Sequence, residues 1–568
     1  MIEILATNIV SPLGLTTEEN YRAVRAGRSA LESHCGWRGI PNKFTASIFN
    51  EEQAKTINIE GFTLFESSIV RSIREALLHC DIDISSPRTI LILSTTKANI
   101  DALDPKSEEY GKYLSPAATA KKVAAHFGIT SEPIVVCNAC ISGVTAQVLV
   151  DRLLSAGIYD VAIVCGADSV TPFVASGFLS FKTLSPMECR PFDIERLGLN
   201  LGDGAATIIF GRADNTNTAS ERWQIVDGQL SNDAYHTSTP SPVGEGTVEA
   251  LKRVLDKVSV EDIGVICVHG TATMFNDQME SKAIERSGLS DIPISALKGY
   301  YGHTLGAAGV LETILAMRAL DDGIVLPVRG FSEIGVGGRV NISNQERKCN
   351  KKSLLKIISG FGSCNGVLLY AKGTRNNTTS NRTGEVVCTD SIHITPTSAV
   401  VNGEHIATTA TGMALLKELY KGYIGDCTKF HKMDALSRLA VLASSILLQR
   451  ESEEDRAKCH DIVLFNNSSS IVADLNHLRT IADSENFYPS PSVFLHTLPN
   501  IATGEVAIQN SFKGETSLYI LDRKCSEIID TVATVSLLDS DRERLITGWI
   551  DCSDDNTFEA EIKILTKK

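Results

Sequence analysis

Apolar runs that end in short polar or glycine-rich turns recur along the chain, and they predict alternating strands and helices. The opening residues 1–14, MIEILATNIVSPLG, predict a strand and a turn. Residues 133–140, PIVVCNAC, predict a strand that runs through Cys137 and a turn at Cys140. The next residues, SGVTAQVLVDRLLSAG, predict a helix that begins just after that turn. Two apolar elements therefore meet at Cys140.

Two further apolar elements each lie beside a histidine. VICVHGTATMFND (265–277) predicts a strand with His269 at its end, and ALKGYYGHTLGAAGVLETI (296–314) places His303 in a glycine-rich loop before an amphipathic helix. A third glycine-rich loop, SGFGSCNG, lies at 359–366. Loops at strand ends build the sites of layered α/β folds. A lone histidine there is commonly structural, but two histidines together with Cys140 indicate one shared site.

Length and charge limit the classes of function. The chain has 568 residues, which is too long for one compact core and predicts at least two domains. No basic signal region precedes the first strand, and no apolar run reaches the ~18 residues of a membrane span. The formal net charge of −14 disfavours a nucleic-acid or anionic-membrane partner. We therefore expect a cytoplasmic protein without a membrane span.

The Cys137–Cys140 pair raises three alternatives: a redox centre, a zinc site or a single nucleophile. Structural zinc sites usually have a second close pair, and the sequence has no second Cys-x-x-Cys motif, so no metal ion is expected. A thioredoxin-like pair would open a helix with its first cysteine, whereas Cys137 is predicted inside a strand, where it packs in the core. Cys140 is then either a nucleophile, whose pKa the helix N-terminus lowers, or a buried structural cysteine.

These motifs carry a resemblance to a known family. NACISG, HGTATMFND, KGYYGHTLGAAG and GFGSCNG occur in the order and approximate spacing of the β-ketoacyl synthases, the condensing enzymes of fatty-acid and polyketide assembly. CRPFDIERLGLNLGDGAATIIF and SNDAYHTSTP also resemble segments of that family. The resemblance runs from residue 2 to about residue 372. It implies a thiolase-like α/β fold, in which two similar βαβαβ halves pack as αβαβα layers.

The resemblance also implies catalytic roles. Cys140 would take an acyl chain from a carrier thioester. His269 and His303 would stabilise the enolate that forms when a malonyl carrier loses its carboxylate, because N–H donors aimed at an oxyanion lower its energy. The backbone N–H groups of Cys140 and Phe361 would hold a second oxyanion, and the Phe361 ring would gate the site.

Four more residues are implied as supporting groups. Lys298 would be a cation near the histidines with Glu312 as its counter-charge, and a plain structural ion pair is the alternative. Thr271 and Thr273 would bind the phosphopantetheine arm of the carrier. The resemblance implies no cofactor held by the enzyme itself.

The end of the chain repeats the beginning weakly. A polar stretch at 373–385 predicts a linker. After it, DIVLFNNSSSI (461–471) is similar to TILILSTTKANI (89–100). Residues 386–568 are therefore predicted to copy the first half of the synthase, and the sequence ends before an equivalent of either histidine motif.

Counting along the repeat predicts what occupies the nucleophile position. If Ser511 is the equivalent of Gly128, Arg523 stands where the first copy has Cys140. Cys525 then falls on the following helix. The repeat is predicted to lack catalytic residues.

Such a half resembles the chain-length-factor subunits of type II polyketide systems and, more closely, the half-sized partner of aryl-polyene and flexirubin-type synthases. We therefore expect residues 1–372 to be a β-ketoacyl-ACP synthase of a polyene or polyketide-type pathway. Segment 488–500 is expected at the interface, with the half-domain shaping chain length.

The expected partners are an acyl carrier protein bearing acyl and malonyl groups, and either further copies of the chain or a heterodimer-like pairing of its two domains. One alternative function is an ordinary fatty-acid elongating synthase with an accessory tail. The other is a non-catalytic scaffold, against which the complete set of Cys140, His269 and His303 argues.

Overall fold

The computed structural model describes residues 1–213, 221–373, 384–425, 429–458, 460–483, 486–554 and 556–568. The strands are β1 Ile2–Val10, β2 Glu32–His34, β3 Phe44–Ser47, β4 Thr89–Ser94, β5 Ile134–Val136, β6 Val161–Asp168, β7 Leu201–Gly202, β8 Gly204–Arg212, β9 Trp223–Asn232, β10 Val265–Cys267, β11 Ile294–Ser295, β12 Ile324–Val325, β13 Arg347–Lys348, β14 Ser353–Gly360, β15 Cys364–Lys372, β16 Val386–Thr395, β17 Ser398–Val401, β18 Glu404–His405, β19 Asp461–Asn466, β20 Thr516–Ile520, β21 Arg544–Asp554 and β22 Thr557–Lys567.

The helices are α1 Thr17–Arg25, α2 Glu51–Ile57, α3 Leu64–Leu77, α4 Pro116–Phe127, α5 Ser142–Ser155, α6 Pro172–Ser180, α7 Glu245–Leu255, α8 Met274–Arg286, α9 Lys298–Tyr301, α10 Ala308–Asp321, α11 Met413–Tyr423, α12 Ala435–Leu448, α13 Glu453–Ala457, α14 Ile471–Ile481, α15 Pro491–His496, α16 Ile501–Asn510 and α17 Ser526–Asp539. Within the described ranges, no helix combines the length and the apolar character that crossing a bilayer requires.

One strand order recurs three times along the chain. The first sheet has the order β1-β8-β6-β4-β5, the second β9-β15-β14-β10-β11 and the third β16-β22-β21-β19-β20. In each sheet the first two pairings are antiparallel and the last two are parallel. The third sheet therefore repeats the first, as the sequence similarity between β4 and β19 predicts.

The helices form layers on both sides of the sheets. Helices α5 and α10 pack together between the first and second sheets, while α3 and α4 cover the outer face of the first sheet and α7 covers the second. Every described residue of α5 through Leu154 is buried, because sheets and helices surround it. Gly143 allows the close crossing with α10, since a Cβ there would lie 3.0 Å from the Val310 nitrogen. The predicted αβαβα layering is confirmed.

The first and third sheets join at the strands that precede their nucleophile positions. Strand β5 pairs antiparallel with β20, and Val136 lies opposite Tyr519. The Cys137 N–H also donates to the Leu518 carbonyl at 3.2 Å. Val136 precedes Cys140 by four residues, as Tyr519 precedes Arg523. Equivalent positions thus face each other across a local two-fold axis.

Two helix ends support the same alignment. Helix α4 ends at Gly128 with φ +73°, and α16 ends at Ser511 with φ +57°. A serine in this left-handed conformation is uncommon, since only glycine adopts it without a steric cost. The predicted equivalence of Gly128 and Ser511 is visible in the backbone. Most of the predicted linker, residues 374–383, lies outside the described residues.

Candidate active site

Cys140 lies in a tight turn between β5 and α5. The turn is a 3-10 segment, Ala139–Ile141, and Ala139 has φ +47°. The Ser142 hydroxyl holds it together, since this group accepts from the Asn138 N–H at 2.8 Å and donates to the Ala139 carbonyl at 2.6 Å. The predicted strand–turn–helix is therefore present, although β5 ends one residue before Cys137.

Burial makes the Cys140 thiol a weak acid. Loss of hydration raises its pKa to about 12, and this effect outweighs the opposing influence of Lys298 and of the N–H groups of Cys140 and Phe361. The N–H groups at the turn do act to lower the pKa of this thiol, as expected, but burial outweighs them because the side chain is only 7% exposed. The N–H groups of Cys140 and Phe361 both interact with the sulfur and act to lower its pKa.

His269 and His303 meet above Cys140. His269 follows β10, and His303 lies between α9 and α10. Their ring centroids are 5.0 Å apart at an interplanar angle of 81°. The Cys140 Sγ and one nitrogen of each ring all lie within 4.8 Å of one another. Three residues that are distant in sequence thus share one site.

Hydrogen bonds fix the tautomer of both imidazoles. The Leu305 N–H donates to His303 Nδ1 at 3.2 Å, and the Lys298 ammonium lies 3.2 Å from His269 Nδ1. A backbone N–H and an ammonium can each only donate. Nδ1 is therefore the acceptor in both rings, and the proton of each ring sits on Nε2. Burial first, and then the positive charges of Lys298 and Lys356, hold the pKa of both histidines well below its usual value. Both rings are therefore neutral N–H donors at neutral pH.

A buried carboxylate joins two lysines beneath the histidines. Glu312 on α10 lies 2.6 Å from the Lys298 ammonium and 2.5 Å from the Lys356 ammonium. Burial alone would raise the pKa of Glu312, but the two lysines together lower it. The ion pair of Lys298 with Glu312 agrees with the expectation. Lys356 was not predicted, although a single lysine inside the apolar strand SLLKIISG is a visible signal.

The remaining expected residues surround the same pocket. Thr271 and Thr273 line it with Cys140 and the histidines, and their hydroxyl oxygens are 2.9 Å apart. Phe361 follows β14 and closes one side. Its ring centroid lies 6.0 Å from that of Phe178 and 5.3 Å from that of Phe181. Lys298 and Glu312 stand behind the lining.

A second cavity extends behind Cys140 toward the third sheet. Its lining consists of Thr96, Lys97, Ala139, Cys140, Val174, Phe178, Leu305, Phe361, Phe494 and Leu498. Phe494 and Leu498 belong to segment 488–500, which therefore lies at the junction where the sequence placed it. The Phe494 ring packs on Gly177 so closely that a Cβ at Gly177 would lie 2.1 Å from it.

Lys97 is the charged member of that lining, and residues between β19 and β20 contact its ammonium. Its ammonium lies 2.6 Å from Asp474 Oδ1 and 3.2 Å from the Ser470 hydroxyl, and it donates to the Thr497 carbonyl. The side chains of Lys97 and Asp474 are only 3% and 4% exposed. The cavity behind Cys140 thus depends on the last part of the chain for its shape and its charge balance.

Cys140, His269 and His303 also have the spacing of a metal-ligand set. The ammonium of Lys298, with Lys356 behind it, opposes a divalent cation there by charge repulsion. A second cluster, His393, Glu559 and Glu561, already holds the Lys524 ammonium between its two carboxylates. Neither cluster therefore favours a metal ion.

The sequence matches known families over two ranges that contain Cys140, His269 and His303. Residues 92–215 match the beta-ketoacyl synthase N-terminal domain, and residues 224–332 match the beta-ketoacyl synthase C-terminal domain. The chain carries both domains of a β-ketoacyl synthase. It is thus an enzyme, an acyltransferase of the condensing type found in fatty-acid and polyketide synthesis.

Several curated relatives of this synthase align with 65% of the chain. A 3-oxoacyl-[acyl-carrier-protein] synthase 2 from Coxiella burnetii is 24% identical over 406 residues, which cover 65% of this chain and 98% of the relative. Nodulation protein E from Rhizobium sp. (strain N33) is 31% identical over 226 residues, which cover 38% of this chain and 56% of the relative.

Solved structures share the fold of the synthase. The ketosynthase ApeO in complex with its chain length factor ApeC, from Xenorhabdus doucetiae, matches 65% of this chain and 98% of that chain with a TM-score of 0.55 at 23% identity. The PfaC keto synthase-chain length factor matches 100% of this chain and 78% of that chain with a TM-score of 0.75 at 14% identity. The second likeness extends over the third sheet.

Proposed function

We propose that the synthase condenses an acyl group carried on Cys140 with a malonyl group carried on an acyl carrier protein. The observation that carries this proposal is the convergence of the Cys140 Sγ and one nitrogen each of His269 and His303 within 4.8 Å. In the first step the Cys140 sulfur bonds to the acyl carbon, and the carrier leaves as a thiol that takes up the proton Cys140 gives up. The N–H groups of Cys140 and Phe361 stabilise the oxyanion that forms.

The second step uses the two imidazoles. The bond between the malonyl carboxylate and its α-carbon breaks, carbon dioxide leaves, and the electron pair moves onto the thioester oxygen. The Nε2–H groups of His269 and His303 stabilise that enolate without changing their own charge. The enolate carbon then attacks the acyl carbon on Cys140, the bond from that carbon to the Cys140 sulfur breaks, and the released thiolate takes up a proton from solvent. Thr271 and Thr273 bind the phosphopantetheine arm of the carrier.

We further propose three segments with separate roles. Residues 1–372 form the β-ketoacyl synthase domain, residues 373–385 form a linker, and residues 386–568 form a degenerate half-synthase that acts as a chain-length factor. Three observations support this division: the strand order of the third sheet, the seam between β5 and β20, and the cavity behind Cys140 that Phe494 and Leu498 line. The half-synthase pairs within the chain and shapes the product of a polyene or polyketide-type pathway.

A second candidate is an ordinary fatty-acid elongating synthase with an accessory tail. It is favoured by the relatives named 3-oxoacyl-[acyl-carrier-protein] synthase 2, whose matches cover only 65% of this chain. The two candidates differ in one respect. Only the first requires the third sheet to influence product length.

Separate measurement of the two chemical steps tests the condensation. Cys140→Gln should still release carbon dioxide from a malonyl carrier, because decarboxylation needs the imidazoles and not the thiol. His269→Ala and His303→Ala should each slow that release by about 100- to 1,000-fold, since each removes one oxyanion donor. Mass spectrometry of carrier-bound products and release of labelled carbon dioxide are the two readouts. Normal decarboxylation by a variant lacking both histidines would overturn the proposal.

A further inference from the structure

A second lysine contacts the main chain between β10 and His269. Lys356 is a fully buried residue of β14. Its ammonium lies 2.5 Å from Glu312 Oε2 and donates to the Val268 carbonyl at 3.3 Å. Val268 immediately precedes His269. The lysine therefore contacts the main chain of the site and not only its counter-charge.

Lys298 makes the matching contacts one residue further on. Its ammonium lies 2.6 Å from Glu312 Oε1 and donates to the His269 carbonyl at 2.6 Å. Two consecutive carbonyls at the end of β10 are thus held by two ammonium groups that share one carboxylate. Charge-assisted hydrogen bonds of this kind are stronger than neutral ones and fix geometry. Removal of either lysine leaves only one of these two hydrogen bonds to the main chain.

The cluster is not electrically neutral. Two ammonium groups face one carboxylate, so a net positive charge remains beneath the imidazoles. Glu280 on α8 lies nearby and accepts from the N–H groups of His269 and Gly270, but burial raises its pKa to about 7, which reduces its negative charge at neutral pH. A buried, unbalanced charge costs stability.

A developing negative charge would benefit from such a field. An enolate oxygen at the Nε2–H groups gains from any fixed positive charge close by, since the site excludes water. We propose that Lys356 is a positioning residue of the condensation, which fixes the end of β10 that carries His269 and maintains a positive field beneath His269 and His303. This inference rests on the roles proposed above for the two histidines.

A pH profile separates this role from a purely structural one. The charged and titratable groups around the histidines are Lys298 from α9, Glu312 from α10, Glu280 from α8, Lys356 from β14, Cys267 from β10 and Cys140 from its turn. Lys356→Met removes a positive charge that disfavours imidazolium. The pKa of the histidines should then rise, and the acid limb of decarboxylation should move to higher pH by ~1 unit.

Lys356→Met in the full chain should slow decarboxylation at neutral pH by about tenfold, because the strand end also loses one of its two holding contacts. Acyl transfer to Cys140 should change by no more than about twofold, since Lys356 does not contact the thiol. Rates are normalised to the fraction of Cys140 that an acyl carrier substrate can label, so that only folded sites count. Lys352→Met is the matched control. Lys352 immediately precedes β14, and its ammonium donates to the carbonyls of Leu320 and Asp321 at the end of α10.

Two more variants make the result decisive. Lys356→Arg should restore the acid limb, and Lys356→Gln, which can donate to Val268 without a charge, should show the same shift as Lys356→Met. An unchanged acid limb in both neutral variants overturns the inference, as does failure of both to fold. If His303→Ala also decarboxylates normally, the proposed condensation itself has failed; if His303→Ala is inactive while Lys356→Met is normal, only the inference has failed.

Discussion

The nucleophile turn of the first sheet and its counterpart in the third sheet share a backbone course but not an environment. In each, a helix ends in the left-handed conformation, the last strand of the sheet follows, β5 or β20, and a turn leads into a 14-residue helix, α5 or α17. Cys140 in the first turn is 7% exposed beneath the histidine loops of the second sheet, whereas Arg523 in the third is exposed. One sheet alone is therefore enough to form the face that pairs at β5 or β20. The proposed active site, in contrast, needs loops from two sheets.

The helices that follow the two turns differ in a similar way. Arg152 on α5 lies 2.7 Å from Glu515 Oε2 and 2.9 Å from Asp539 Oδ2, and all three side chains are buried at the seam. The alignment of Cys140 with Arg523 places Val535 of α17 where α5 has Arg152. The two faces have thus become complementary instead of identical, which favours pairing within the chain.

The largest effect should come from exchanging residues at the two turns. Cys140→Ala should abolish acyl transfer, because no thiol remains at the turn to bond to the acyl carbon. Arg523→Ala and Arg523→Cys should each change the rate by less than about twofold, since position 523 faces solvent. Peptide mass mapping after incubation with an acyl carrier substrate locates the acyl group. Label at position 523 of the Arg523→Cys chain would contradict the contrast between the two turns.

Substitution of the seam arginine should have the next largest effect. Arg152→Met removes the cation that the buried carboxylates of Glu515 and Asp539 both contact, which should lower the free energy of unfolding by about 3–5 kcal/mol. Val535→Met at the equivalent position of α17 is the matched control and should cost less than about 1.5 kcal/mol. Denaturant unfolding followed by circular dichroism measures both. Equal losses of unfolding free energy in the two variants would show that the seam depends on Arg152 no more than on Val535.

The sequence was sufficient for much of this contrast. Local patterns predicted the strand, turn and helix around Cys140, and residue counting predicted that Arg523 occupies the equivalent position in the third sheet. Contacts between distant segments that no recognised motif carries could not be predicted. The sequence shows a lysine in an apolar strand at Lys356, but not that Glu312 from another element lies beside it. The burial that raises the pKa of Cys140 likewise depends on how three sheets pack, which no local pattern records.

Product length should respond to the residues that the third sheet places behind Cys140. Phe494→Leu enlarges the cavity behind Cys140 that Phe494 lines, at a cost of about 1–2 kcal/mol in stability. Products should lengthen by one extension while the first condensation keeps its rate. Tyr488→Leu, an exposed residue of the same segment, is the control. Mass spectrometry of carrier-bound chains gives the distribution, and an unchanged distribution for Phe494→Leu favours the accessory-tail candidate.

The smallest expected effect is a pH dependence confined to the last part of the chain. His496 at the end of α15 lies 3.2 Å from Asp434 Oδ1, and Asp434 caps α12 by accepting from the N–H groups of Leu436 and Ser437. Burial opposes protonation of His496, but Asp434 prevails and raises the pKa of the histidine above its usual value. Burial likewise acts against ionisation of Asp434, but His496 lowers the pKa of that carboxyl.

A group whose folded pKa is raised stabilises the protein below its unfolded pKa, and the contribution disappears as the pH rises through the folded value. The ion pair should therefore stabilise the protein near pH 6 and progressively less toward alkaline pH, while protonation of Asp434 removes it at strongly acid pH. The melting temperature of the full chain should fall more steeply above pH 6.5 than that of His496→Gln. His405→Gln, which alters an exposed histidine of β18, should keep the slope of the parent chain. If His496→Gln shows the same slope as the parent, the titrating group lies elsewhere. In that case the ion pair of His496 with Asp434 does not give the last part of the chain a pH-dependent stability of its own.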